Sequence, residues 1–133
     1  MKKAKFFRLF FTTFLLIFIL FSPACKKREA KKEEVIKIGA ILPLTGGAAE
    51  FGVGNKNGII LMVEDINAKG GVDGKKISVF FEDSQSDPKI AISIFNKMLK
   101  TDEPDFLFIC LSSVAMALKP LIEQNKIPAF CVS

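Results

Sequence analysis

Ser112 and Ser113 follow the apolar run Asp105–Leu111 and open a stretch of helical spacing. A helix start presents free N–H groups and about half a positive charge. Two hydroxyls beside it would complete a receptor for a small carboxylate. The same serines also suit an ordinary helix cap, and the residues alone leave both readings open. Leu44–Gly54 is rich in glycine, so a ligand could approach its backbone closely. Ser133 adds a third polar group after the last apolar run.

Other chemistry is excluded or weak. The chain has no histidine, so Ser–His or Cys–His catalytic pairs and imidazole metal sites are impossible. Gly52-Val53-Gly54 invites a dinucleotide reading, but about eight residues separate it from the preceding strand and Gly58 comes one position late. No cofactor and no metal are expected. Glu82 and Asp83 are neighbours on a strand, which point to opposite faces, and they read as a solvated strand end. Phe106 and Phe108 alternate with Leu107 and Ile109 as core residues would. Cys110 and Cys131 read as small buried apolar residues, although an oxidising compartment and neighbouring strands would permit a bridge.

The elements that must position these groups alternate in type. Val35–Leu42 is β-branched and nearly continuous, a strand buried on both faces. After the Pro43–Gly54 loop, Ile59, Val63 and Ile66 set a helix over Asn55–Ala68, ended by Lys69-Gly70-Gly71. Lys76–Asp83 is the second strand. Asp87 and Pro88 open a helix to Lys100 as cap and first-position proline. Asp105–Leu111 is the third strand. Ser112 starts a third helix toward Asn125, which Pro120 should kink or split. Ile127–Val132 is the fourth strand. This β-α-β-α-β-α-β order predicts an α/β fold, a Rossmann-like and mostly parallel sheet with helices on both faces. Ligands of such sheets bind beyond the carboxyl ends of the strands. Leu44–Gly54, Ser112-Ser113 and Ser133 all fall there.

The N-terminal part reads differently. Lys2, Lys3, Lys5 and Arg8 precede Leu9–Phe21, 13 almost wholly apolar residues. That run is too short for an ordinary spanning helix and fits a secretory leader over residues 1–24. Ser22-Pro23-Ala24-Cys25 resembles the lipobox of bacterial lipoproteins, with Ser22 where that motif prefers an aliphatic residue. The resemblance implies an acylated Cys25 that holds the protein on a membrane; ordinary cleavage near Ala24 and an uncleaved anchor are the alternatives. Residues 25–34 form a charged tether that cannot bury enough surface to order itself. The net charge of +5 comes from these two segments, which hold nine of the 19 Lys+Arg and three of the 14 Asp+Glu. The remainder is about −1, so no nucleic-acid partner is expected. Without the leader, 109 of the 133 residues remain, enough for one small domain over 35–133.

Several motifs then align with one family. They are Ile38-Gly39-Ala40, Leu42-Pro43-Leu44-Thr45-Gly46, Phe51-Gly52, Asp65-Ile66-Asn67-Ala68-Lys69-Gly70-Gly71-Val72, Glu82-Asp83-Ser84, Asp87-Pro88, Ser112-Ser113 and Ile127-Pro128. From Val35 onward the chain resembles the start of leucine/isoleucine/valine-binding proteins, substrate receptors of ABC importers with the type I periplasmic binding fold. The resemblance implies that Phe51 packs on the ligand, that Ser112, with Ser113 beside it, holds its carboxylate, and that Ser133 begins a strand end that meets its polar groups. It implies an ABC permease as partner, amino acids or similar small polar molecules as ligands, and no catalysis. A sensing module of the same fold is the rival reading; a Rossmann-type enzyme is disfavoured by the missing histidine, the misplaced glycines and the leader.

Members of that family close two lobes on the ligand, and this sequence is expected to cover only part of the first, as a truncated frame or gene fragment would. If the lobes share a micromolar ligand's roughly −8 kcal/mol evenly, one lobe gives about −4, a millimolar affinity. This chain is therefore expected to bind no amino acid at micromolar levels.

Overall fold

The structure is a computed structural model that describes residues 34–133. The readings made of residues 1–24, of Cys25 and of all but the last residue of the tether lie outside these residues. Seven elements alternate along the described chain: β1 (Val35–Leu42), α1 (Ala49–Ala68), β2 (Lys76–Asp83), α2 (Pro88–Thr101), β3 (Phe106–Cys110), α3 (Ser112–Asn125) and β4 (Ala129–Val132). The strands form one sheet in the order β2-β1-β3-β4. All three pairings are parallel, with Leu42 opposite Asp83, Ile41 opposite Ile109 and Ile109 opposite Cys131.

The two faces carry separate cores. On one, Ile41, Leu107 and Ile109 meet Ala91, Ile94, Phe95 and Met98 of α2 and Val114 and Leu118 of α3. On the other, Ala40, Leu42 and Cys110 pack with Ile59 of α1. The sheet therefore has helices on both sides, as its continuous apolar strands require. Among the described residues, cover on the α1 side is incomplete, because α1 lies over β2 and β1. Phe130 of β4 packs on Phe108, with ring centroids 5.7 Å apart, yet is 55% exposed.

The motif between α1 and β2 is structural. Asn67 donates from Nδ2 to the Ile77 carbonyl and accepts the Ile77 N–H at Oδ1, both at 2.8 Å. Ile77 lies on β2, an edge strand, so this side chain satisfies two edge groups that no strand pairs. Gly71 follows at φ +84°, and a Cβ there would stand 2.0 Å from the Lys75 carbonyl oxygen.

Four expectations need correction. First, α1 begins at Ala49, six residues before the predicted Asn55, so Gly52, Val53 and Gly54 are helical. Glycine disfavours helix by about 1 kcal/mol, but Gly52 lets α1 press onto the chain leaving β1. Second, Pro120 does not split α3, which continues through it to Asn125. The carbonyl that Pro120 leaves unbonded belongs to Met116, which is 69% exposed, and water can satisfy it there. Third, Cys131 is exposed rather than buried. Being opposite Ile109, it shares that residue's face, whereas Cys110 is on the other, so the sheet itself keeps the two thiols from bridging. Fourth, β3 and β4 are shorter than predicted at Asp105, Leu111 and Ile127, and α2 extends one residue past Lys100.

Candidate ligand-binding site

Connections lie on the α1 face between β1 and β2, and on the opposite face from β2 onward. The chain thus reverses its course across the sheet between β1 and β3, and the crevice of a doubly wound sheet opens at that reversal. Two segments border it: the β1–α1 loop, residues 43–48, and the β3–α3 junction at Leu111.

The β1–α1 loop exposes Thr45, Gly46 and Gly47. Gly46 sits at φ +81°, a conformation that glycine adopts without steric cost. The loop delivers Phe51 on the first turn of α1, 44% exposed. Phe51 lines an open groove of about 770 Å³ with Ala48, Gly54, Gly58, Met62 and Phe108. Glu50 is the one charged residue among the described residues lining it.

The loop is tied to β2 by a carboxylate. Oδ1 of Asp83 accepts the N–H of Leu44 at 2.8 Å, of Thr45 at 3.2 Å and of Gln85 at 2.9 Å. Its Oδ2 accepts the Thr45 hydroxyl at 2.6 Å. Partial burial pushes the Asp83 carboxyl up, but the hydrogen bonds from Thr45, Gln85 and Leu44 outweigh it and hold the group below its ordinary value. Asp83 is therefore no free strand end. Its neighbour Glu82 does sit at the surface and pairs with Lys97 at 2.7 Å. The Asx turn onto Gln85 was the signal that could have revealed Asp83 in the sequence.

At the second border, Ser112 and Ser113 are the first two residues of α3 and both are exposed. Neither is the cap. Leu111 holds that position at φ 82° and ψ 126°, and its carbonyl accepts the Ala115 N–H at 3.0 Å. The helical bonds begin there, so the N–H groups of Ser112, Ser113 and Val114 precede the first intrahelical bond. No side-chain hydrogen bond commits either serine hydroxyl among the described residues. Leu111 is a bulky residue in a sparsely populated conformation, of the kind that only surrounding structure can maintain. It packs against both cores, and its N–H donates to the Val132 carbonyl at 2.9 Å. That bond places Ser133, the next residue, beside the start of α3. Nothing in the local sequence announced the strained leucine.

Ser112, Ser113 and Ser133 thus gather at the carboxyl ends of β3 and β4. Phe51 stands across the reversal, at the β1 end, and the serines do not line its groove. Among the described residues no cluster of three or more His, Cys, Asp or Glu could hold a metal ion.

The sequence pattern of the periplasmic binding protein family matches residues 35–133. Over 64 residues the chain is 42% identical to "Leu/Ile/Val-binding protein homolog 2" of Brucella abortus strain 2308, an alignment covering 48% of this chain and 17% of that protein. Among solved structures, a fatty acid ABC transporter substrate-binding protein from Thermomonospora curvata matches with TM-score 0.70 and 28% identity, over 75% of this chain and 25% of the other. The branched-chain amino acid transporter substrate-binding protein of Streptococcus pneumoniae, in complex with isoleucine, matches with TM-score 0.69 and 27% identity, over 74% and 28%. The matched part of this chain thus corresponds to about a quarter or less of each relative's length.

Proposed function

From the premise that this chain belongs to the periplasmic binding protein family and has its type I fold, we propose that it is the ligand-capturing start of an extracytoplasmic receptor for an ABC importer. Its ligands are branched-chain or other amino acids, or similar small carboxylates. The observation that carries this reading is the free start of α3. It lies at the carboxyl ends of β3 and β4, and there a carboxylate would gain from its first N–H groups, from the two serine hydroxyls and from the helix dipole. Ser112 and Ser113 are the carboxylate holders in this proposal. Ser133 adds polar groups beside them, and Phe51 offers an apolar surface to the ligand side chain. In this reading the protein binds and releases its ligand without catalysis, the role that a substrate-binding receptor has.

The proposal extends to the domain plan: residues 1–24 as a leader, 25–34 as a tether, 35–133 as part of the first lobe, with a lipid on Cys25. An ABC permease receives the ligand. Multiple acylation would keep the protein on the membrane, at about 0.8 kcal/mol per buried methylene. A Cys25→Ser variant should then lose both the lipid mass and the membrane fraction; a variant as membrane-bound as the parent would refute the anchor.

The binding reading is tested by ¹H–¹⁵N NMR titration of this chain with L-leucine, L-isoleucine and L-valine. We expect saturable shifts at Ser112–Ala115 and Phe51, with Kd in the millimolar range that about −4 kcal/mol implies. In Ser112→Ala they should weaken severalfold. Absence of shifts at tens of millimolar, or micromolar binding by the chain, would each overturn this account.

A further inference from the structure

We propose that Asp83 is the positioning residue of the binding crevice: its one carboxylate fixes the β1–α1 loop against β2 and so sets where Phe51 stands. The ligand arm of this inference rests on the function proposed above; the loop arm does not.

Pro43 is buried and Leu44 packs on the second core, but the stretch that follows them has little else to hold it. Thr45, Gly46 and Gly47 are exposed, so no apolar burial anchors them. Gly47 has open space where a Cβ would be, and a Cβ at Gly46 would meet only the Gln85 carbonyl, at 3.8 Å. Two adjacent glycines leave the backbone wide conformational freedom. Against that freedom stand the three bonds that Asp83 accepts from Leu44 and Thr45. From Thr45 the chain reaches Ala49, the first residue of α1, in four steps, with Gly46 accepting the Ala49 N–H at 3.2 Å. Phe51 follows two residues later.

Asp83 also braces the turn from which it acts. Gln85 and Ser86 both have positive φ, 51° and 62°, although neither is glycine. The Gln85 N–H bond to Oδ1 and the Asp87 N–H bond to the Ser84 carbonyl at 2.8 Å hold this turn in place. One side chain thus couples the β1–α1 and β2–α2 connections, and Asp83 lies opposite Leu42, the residue from which the first connection departs.

The geometry separates charge from shape. All three backbone donors converge on Oδ1, while Oδ2 serves the Thr45 hydroxyl alone. An Asp83→Asn variant keeps a carbonyl oxygen for the three N–H groups, and its amide can donate to the Thr45 oxygen. Asp83→Ala keeps neither.

The test is amide hydrogen exchange and NMR titration with L-leucine on this chain, as wild type, Asp83→Ala, Asp83→Asn and Thr45→Val. We expect Asp83→Ala to lower protection at Leu44, Thr45 and Gln85 at least 10-fold, move the Phe51 resonances, and raise the apparent Kd threefold or more. Asp83→Asn should restore most of both, a rescue that a loss of folding would not show. Thr45→Val, lacking one bond, should fall between, and serves alone if Asp83→Ala does not fold. Unchanged protection at Leu44 and Thr45 in a folded Asp83→Ala, or in Thr45→Val should that variant stand alone, overturns the proposal. A wild type without leucine-dependent shifts overturns the binding reading instead, and exchange still decides the role of Asp83.

Discussion

Gly52 is a helical position at which a single added methyl group should do clear harm. Its ideal Cβ would stand 1.9 Å from the Pro43 carbonyl oxygen and 2.6 Å from the Pro43 carbonyl carbon. Both are backbone atoms, and Pro43 is itself fully buried. A normal carbon–oxygen contact would need α1 to retreat from β1 by more than about 1 Å, and close-packed interiors do not absorb that. Overpacking of this kind costs about 1–3 kcal/mol and occasionally more. Against it stands the helix preference of alanine over glycine, about 1 kcal/mol. The clash wins, and Gly52→Ala should lose about 2 kcal/mol. Gly54 and Gly58 are the internal controls: both lie in α1 and neither has an atom within 4 Å of a Cβ. There alanine should add roughly 0.5–1 kcal/mol each. The assay is urea unfolding followed by circular dichroism. With m near 1–1.5 kcal/mol/M for a domain of this size, the midpoint should fall by roughly 1.5 M for Gly52→Ala and rise by about 0.5 M for each control. A Gly52→Ala protein as stable as its parent, or controls that are both destabilised, would refute the packing argument.

Asn67→Ala should cost about 1–3 kcal/mol, because it strips the Ile77 N–H and carbonyl of their shared partner; urea unfolding measures it, and a loss below 0.5 kcal/mol would contradict the assigned clamp. In a Cys25→Ser background, Cys131 should react rapidly with maleimide in the native protein. Cys110, fully buried and with its thiol pushed up by burial, should react only after denaturation; equal rates, or a bridge between the two seen by mass spectrometry, would count against the sheet register. Asp83 titrates below its ordinary value of 3.8, so its contribution to stability is complete above that value and is lost as pH falls through the depressed folded one. The Thr45 amide shift should therefore hold steady from neutral pH to about 4 and move below it, and Asp83→Asn should abolish that step.

The element order and the parallel sheet were legible because β-branched runs and 3.6-residue stripes are properties of the strands and helices themselves. Ile59 and Val63 place α1, and Asp87-Pro88 place the start of α2, where the Asp87 carboxylate accepts the Lys89 N–H at 2.7 Å. Failures came where a tertiary contact overrides local preference. Glycines at 52 and 54 argue for loop, yet the first is what permits helix against Pro43. Pro120 argues for a break, yet its lost partner lies on the solvent side, where the loss is small. Asp83 looked solvated because its four donors come from residues up to 39 positions away. Cys131 looked buried because its strand is apolar, but strand composition does not say whether a neighbour covers it. Ser112 was legible as a helix start, whereas the strained leucine ahead of it was not, since φ at Leu111 is dictated by packing on both faces of the sheet.

The two borders of the crevice are held by different forces. Polar bonds to one carboxylate hold the β1–α1 loop, and those bonds weaken when the carboxylate is protonated. At the β3–α3 junction, half-buried Leu111 packs against both cores and its N–H bonds the Val132 carbonyl; together these offset a backbone conformation costing about 1–3 kcal/mol. Such a junction has little reason to respond to acid and every reason to respond to a cavity cut beneath it. On the proposed function, the helix start that would hold a carboxylate lies on a packed part of the sheet, and the aromatic surface follows an exposed loop stretch whose polar bonds converge on one side chain. If the loop and the helix start respond together to both Asp83→Ala and Leu111→Ala, the crevice is one cooperative unit and this division is wrong. Separate responses would place the adjustable side of the crevice at Phe51, the side that the proposed function gives to the ligand side chain.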